Sequence, residues 1–238
     1  MKRFVTFALA LVFGFVFVKA QDLPQSPARG ELRIAVFGGS LSVFPESRVA
    51  KAMWEERLGA KVTDFGVGGA GFSKLQGRSL QGQVDQAVEP FDIYILWAST
   101  NDYTHSRPCG DPMDYTKYDG FDEAKLDTQC GGINYCIKTI RDHNPDALIV
   151  FFTSLPFFKS QDTNDLGLSF EQYVDAQLVT CALQNVPVLH QFGLGIFTQD
   201  NYQAFYRPDR LHLKESGYAV IGPIQAEWLS GHVAARAL

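Results

Sequence analysis

The feature that most constrains this chain is its alternation of apolar strand-like runs with amphipathic helical segments. Ile93-Tyr94-Ile95-Leu96-Trp97 and Leu148-Ile149-Val150-Phe151-Phe152 have no polar face. A strand of that kind must be covered on both sides. Strands are predicted over Glu31–Phe37, Lys61–Phe65, Phe91–Trp97, Ala147–Thr153 and Val186–His190. Helices are predicted over Glu46–Leu58, Gln76–Val88, Asp127–Asn144, Phe170–Asn185 and Leu213–Leu229. Val49, Met53, Trp54 and Leu58 recur at helical spacing, as do Ile133, Cys136, Ile137 and Ile140. This order predicts an α/β fold, a three-layer α/β/α sandwich around a mainly parallel five-stranded sheet. Ligands of such sheets sit at the carboxyl ends of the strands. The segment Tyr103–Leu126 breaks the rhythm with many turn residues, and loops of that length are usually functional or mobile.

The amino terminus reads differently. Lys2-Arg3 precedes an almost wholly apolar stretch, Phe4 to Val18, and Lys19-Ala20-Gln21 closes it. That layout predicts a secretory signal peptide over residues 1–20, a flexible leader over 21–30 and one domain over 31–238. The apolar stretch is short for a membrane span, so no stable insertion is expected after cleavage. The expected location is therefore secreted or periplasmic. A net charge of -5 and no dense Lys/Arg patch argue against a nucleic-acid partner. The four cysteines, Cys109, Cys130, Cys136 and Cys181, lack metal-ligand spacing, so no metal site is expected.

Polar or glycine-rich stretches follow the predicted strands. Gly38-Gly39-Ser40 follows the first, Asp64 to Gly71 the second and Ala98 to Asp102 the third, while Asp209 to His212 precedes the last helix. A serine hydroxyl becomes a nucleophile when a base takes its proton. His212 is the candidate base for Ser40, and Asp209 can fix the imidazole tautomer. The Ser40 N–H, a glycine N–H of the second loop and the Asn101 amide can stabilise a tetrahedral oxyanion. Singly, each residue also suits a turn or a cap. Together, at four strand-end positions, they point to nucleophilic catalysis.

This set resembles the SGNH hydrolases, also called the GDSL esterase/lipase family. The likeness rests on Gly38-Gly39-Ser40-Leu41-Ser42, Gly66-Val67-Gly68-Gly69, Thr100-Asn101-Asp102 and Asp209-Arg210-Leu211-His212, and spans nearly all of residues 31–238. It implies a flavodoxin-like fold and ester hydrolysis without metal or cofactor. It also implies Ser40 as nucleophile, His212 as base and Asp209 as its orienter. The oxyanion hole is then Ser40 N–H, Gly69 and Asn101. Two positions depart from the family pattern. Gly39 stands where the family usually has Asp, and Ser99 where it usually has Gly.

Gly66-x-Gly68-x-x-Gly71 also matches a dinucleotide fingerprint, but a lone match is a weak signal and it follows the second predicted strand, not the first. An acyl transferase on the same triad and a non-catalytic glycan binder are the other readings. Tyr103, Tyr115, Tyr118, Tyr202, Phe205 and Tyr206 are expected in loops near the site, either as a sugar-binding rim or packed under the long loop. Asp111, Asp114, Asn201 and Arg207 would add polar groups, whereas Phe157, Phe158 and Phe192 would suit a lipase-like groove. The expected substrate is a short-chain ester, acetyl above all, on a small molecule or glycan. Cys109 and Cys130 bracket the irregular segment and are predicted to pair in a disulfide.

Overall fold

The structure is a computed structural model that describes residues 31–74, 77–113, 123–159 and 162–236. The predicted signal peptide and leader lie outside these residues, as do Asp114, Tyr115 and Tyr118. In chain order the elements are β1 (Leu32–Gly38), α1 (Ser40–Val43), α2 (Arg48–Leu58), β2 (Ala60–Asp64), α3 (Leu80–Gln86), β3 (Ile93–Trp97), α4 (Asn101–Thr104), α5 (Glu123–Leu126), α6 (Gln129–His143), β4 (Leu148–Phe152), α7 (Phe170–Leu183), β5 (Val188–Leu189), α8 (Tyr202–Phe205) and α9 (Glu215–Arg236). The five strands form one sheet in the order β2-β1-β3-β4-β5. Every pairing in it is parallel.

The apolar strand runs divide their side chains between two faces, because successive residues of a strand point opposite ways. Ile34, Val36, Ile93, Ile95, Val150 and Phe152 face one layer with Trp54 of α2 and Tyr218, Ile221 and Leu229 of α9. Ala35, Phe37, Tyr94, Leu96, Ile149 and Phe151 face the other, with Leu80 and Val84 of α3 and Ile133, Ile137 and Ile140 of α6. The expected three-layer arrangement is thus the observed one. Parallel pairing also puts all carboxyl ends at one edge. The register places Gly38 beside Trp97, and Trp97 beside Phe152.

Among the boundaries that differ from expectation, two have a local reason. Pro45–Ser47 forms a 3-10 turn, so α2 begins at Arg48. The Ser79 hydroxyl caps α3 by accepting from Gly82 N–H, so that helix begins at Leu80.

The predicted disulfide is not present. Cys109, Cys130, Cys136 and Cys181 are all thiols. Cys130 N–H donates to the Cys109 carbonyl at 2.8 Å, so the two backbones do adjoin. Cys130, however, is fully buried on α6, while the Cys109 sulfur interacts with the Tyr173 hydroxyl. Burial pushes the Cys109 thiol up to about 11.

Candidate active site

Ser40 is the first residue of α1, immediately beyond the end of β1. That strand end is clamped by a side chain far away in sequence. Gly38 N–H donates to Gln83 Oε1 at 2.9 Å, and Gln83 Nε2 donates to the Gly38 carbonyl at 3.0 Å. Beyond Ser40, the Lys51 ammonium binds the Ser42 carbonyl, the Ser47 hydroxyl and the Asp64 carboxylate. The turn carrying Ser40 is therefore fixed from both sides.

His212 approaches from the other end of the chain. Tyr206 and Leu213 form an antiparallel bridge, and Arg207 N–H donates to the His212 carbonyl at 2.7 Å. The loop between them presents Asp209 and His212 together. The contact between Ser40 Oγ and His212 Nε2 is 2.8 Å, and that between His212 Nδ1 and Asp209 Oδ2 is 2.7 Å. Asp209 Oδ1 accepts the backbone N–H groups of Leu211 and His212, each at 3.0 Å. Burial alone would raise the Asp209 carboxyl, but these N–H groups and the imidazole outweigh it and hold it below the usual carboxylate value. An ionised Asp209 accepts from Nδ1–H. Nε2 is then the lone-pair nitrogen, able to accept the Ser40 hydroxyl proton.

The imidazole also has a supported face. Phe44 lies against it with ring centroids 4.5 Å apart and planes at 37°. The Arg207 guanidinium lies over the Phe44 ring, 4.8 Å from its centroid, and pairs with Glu46. Phe44, Glu46, Lys51 and Gln83 were not read as site residues from the sequence. Only the proximity of Phe44 and Glu46 to Ser40 along the chain hints at them.

Of the oxyanion candidates, the Asn101 amide lies against Gly39. A Cβ built there would lie 2.8 Å from Ser99 Cβ, 2.9 Å from the Ala70 carbonyl oxygen and 3.0 Å from Asn101 Nδ2. With φ at -93°, Gly39 has a backbone open to any residue, so it is space that demands glycine here. The two departures from the family pattern, Gly39 and Ser99, are thus two sides of one contact. Gly69 adopts φ +83°, a conformation that favours glycine. Among the described residues, neither Ser40 N–H nor Gly69 N–H donates to another protein group.

The second and third loops are joined by Asp102, which is buried. Its carboxylate accepts Phe72 N–H at 2.8 Å, Ser73 N–H at 3.0 Å and the Ser73 hydroxyl. Burial raises this carboxyl above its ordinary value, although these donors draw it back. Asp102→Asn would set an amide nitrogen against a backbone N–H. The variant is expected to lose about 2 kcal/mol or more, read as a lower urea midpoint with an unchanged slope. An unchanged midpoint would contradict this role.

Other expectations come out differently. Tyr103, Tyr202 and Tyr206 are 1%, 8% and 1% exposed, so they form no open aromatic rim. Tyr103 packs against Phe157, Phe170 and Tyr173, and Tyr202 stacks on Phe158. The Gly66–Gly71 run opens no helix, because α3 starts only at Leu80. It therefore lacks the context that a dinucleotide fingerprint requires. His105 turns its ring to the Asn101 carbonyl at 2.9 Å and caps α4.

The profile of the GDSL-like lipase/acylhydrolase family matches residues 36–220. This chain belongs to that family and is a serine ester hydrolase. Solved structures agree in fold. A protein from Lactobacillus plantarum is 19% identical with a TM-score of 0.72, over 86% of this chain and 99% of its own. A possible lipase from Chitinophaga pinensis is 20% identical with a TM-score of 0.61, over 83% and 97%. A lipase/acylhydrolase from Enterococcus faecalis is 14% identical with a TM-score of 0.59, over 84% and 96%. No curated protein matches the sequence. Among the described residues, no helix is long and apolar enough to cross a membrane.

Proposed function

We propose that this enzyme is an exported esterase that hydrolyses short-chain esters through Ser40, His212 and Asp209, with acetylated carbohydrate as its substrate class. The observation that carries the reading is the continuous contact from Ser40 Oγ through His212 to Asp209. Ser40 Oγ attacks the ester carbonyl carbon as its proton passes to His212 Nε2. The carbonyl π pair moves onto oxygen, facing Ser40 N–H, Gly69 N–H and the Asn101 amide. Collapse expels the alcohol, which takes the proton back from His212, and leaves an acyl group on Ser40. Water then repeats the cycle with His212 as base, and the carboxylic acid leaves.

Export rests on the basic start, apolar stretch and Ala20 of the amino-terminal sequence. The short acyl group rests on how the nearby phenylalanines are used. Phe157 packs on Tyr103 and Phe170, Phe158 on Tyr202 and Tyr206, and Phe192 on Phe170. Rings packed on one another are poor walls for a long acyl chain. A polar alcohol is favoured by Gln203, Arg207, Arg210 and Lys214, which line one pocket with Tyr202, Tyr206 and Pro208 beside the catalytic loop.

Each methylene buried in a lipase groove would add about 0.8 kcal/mol. The expected result with p-nitrophenyl esters is the reverse trend, with kcat/KM highest for acetyl or propionyl and falling by octanoyl. An optimum at octanoyl or longer would make the enzyme a lipase on the same triad. Following labelled acyl groups into free acid or into an acceptor sugar separates hydrolysis from transfer.

A further inference from the structure

The Asn101 amide serves two acceptors in the resting site. Its Nδ2 donates to the Ala70 carbonyl at 2.8 Å and to Ser99 Oγ at 3.0 Å. Both of its hydrogens are thus engaged before any oxyanion forms. Turning the amide toward an oxyanion would ordinarily strip a buried acceptor of its donor, and that opposes the movement.

Here each acceptor has a second donor, and both arrangements run through Ser99. The Ser99 hydroxyl itself donates to the Ala70 carbonyl at 2.7 Å. Asn101 backbone N–H donates to Ser99 Oγ at 3.2 Å. Ser99 is held for this task from behind. Its carbonyl accepts the Ser154 hydroxyl at 2.9 Å, and Gln177 Nε2 donates to Ser154 Oγ at 3.2 Å and to Gln129 Oε1 at 3.0 Å. Ser99, Ser154, Gln177 and Gln129 are all buried. A polar chain of this kind keeps one geometry when every member is satisfied.

We propose that Ser99 is a positioning residue for the oxyanion site, whose hydroxyl lets the Asn101 amide leave Ala70 and Ser99 for the oxyanion without leaving a buried acceptor bare. The proposal rests on the assignment of Asn101 to that site. Without the hydroxyl, Asn101 is the one donor left to the Ala70 carbonyl among the described residues, and that carbonyl holds its amide back. The consequence falls on the transition state, where the oxyanion exists, and not on substrate binding.

The test is a double-mutant cycle with p-nitrophenyl acetate on Ser99→Ala, Asn101→Ala and the combined variant. Rates are normalised to active sites titrated with a phosphonate, so that an unfolded fraction does not enter kcat. Ser99→Ala is expected to lower kcat about 10-fold or more with KM within about twofold. In the Asn101→Ala background the same change should lower kcat by less than about twofold. An equal loss in both backgrounds, or no loss in either, would overturn the proposal and leave the Asn101 assignment standing. Full activity in Asn101→Ala would instead remove that assignment and the proposal with it.

Discussion

Ser40→Ala is expected to lower ester hydrolysis by about 10⁴-fold or more with little change in stability. Among the described residues the hydroxyl has one hydrogen-bond partner, His212 Nε2, and its removal leaves the backbone of α1 as it was. The clamp of Gln83 on Gly38 and the Lys51 contact with the Ser42 carbonyl do not involve it. What survives should be the modest acceleration from an oxyanion site acting on water. A Ser40→Ala enzyme that keeps most of its activity would place the nucleophile elsewhere.

His212→Ala is expected to fall equally far, by about 10⁴-fold or more, although it removes no atom that bonds to substrate carbon. Ser40 would remain a neutral hydroxyl, since no other described side chain hydrogen-bonds to its Oγ. The variant should also lose the ring contact on Phe44, so a modest drop in the urea midpoint is expected. Removing both residues should cost scarcely more than removing either, because they act as one unit. Additive losses in kcat/KM would contradict that coupling.

The layout of the fold was legible because parallel strands buried on both faces carry an unbroken apolar run. β3 and β4 fall within one or two residues of their expected bounds. The contact of Ser40 with His212 and of His212 with Asp209 was legible because these residues lie in short blocks outside the strands, which the topology brings together. Contacts set by side-chain direction were not legible. Cys109 and Cys130 bracket one segment and do adjoin along the backbone, but burial and a Tyr173 contact turn their sulfurs to different uses. Three of the rings expected near the site are closed off for a similar reason. Tyr103, Tyr202 and Tyr206 come from segments read as loops, yet their rings are buried in apolar clusters. The relation of Gly39 to Ser99 and of Gln83 to Gly38 joins positions far apart in the chain, and no local pattern announces it. Sequence alone made Gly39 and Ser99 two separate irregularities, whereas in the fold one fills the space that the other leaves open.

The most direct measurement is to label the enzyme with diethyl p-nitrophenyl phosphate and map the product by mass spectrometry. Attack on phosphorus by a serine hydroxyl releases p-nitrophenolate and leaves a diethylphosphoryl ester on that serine. One such group per chain is expected, on the peptide that contains Ser40, appearing in step with loss of esterase activity and absent from His212→Ala. Inactivation with the group on any other residue, or full activity in protein labelled completely at Ser40, would contradict it.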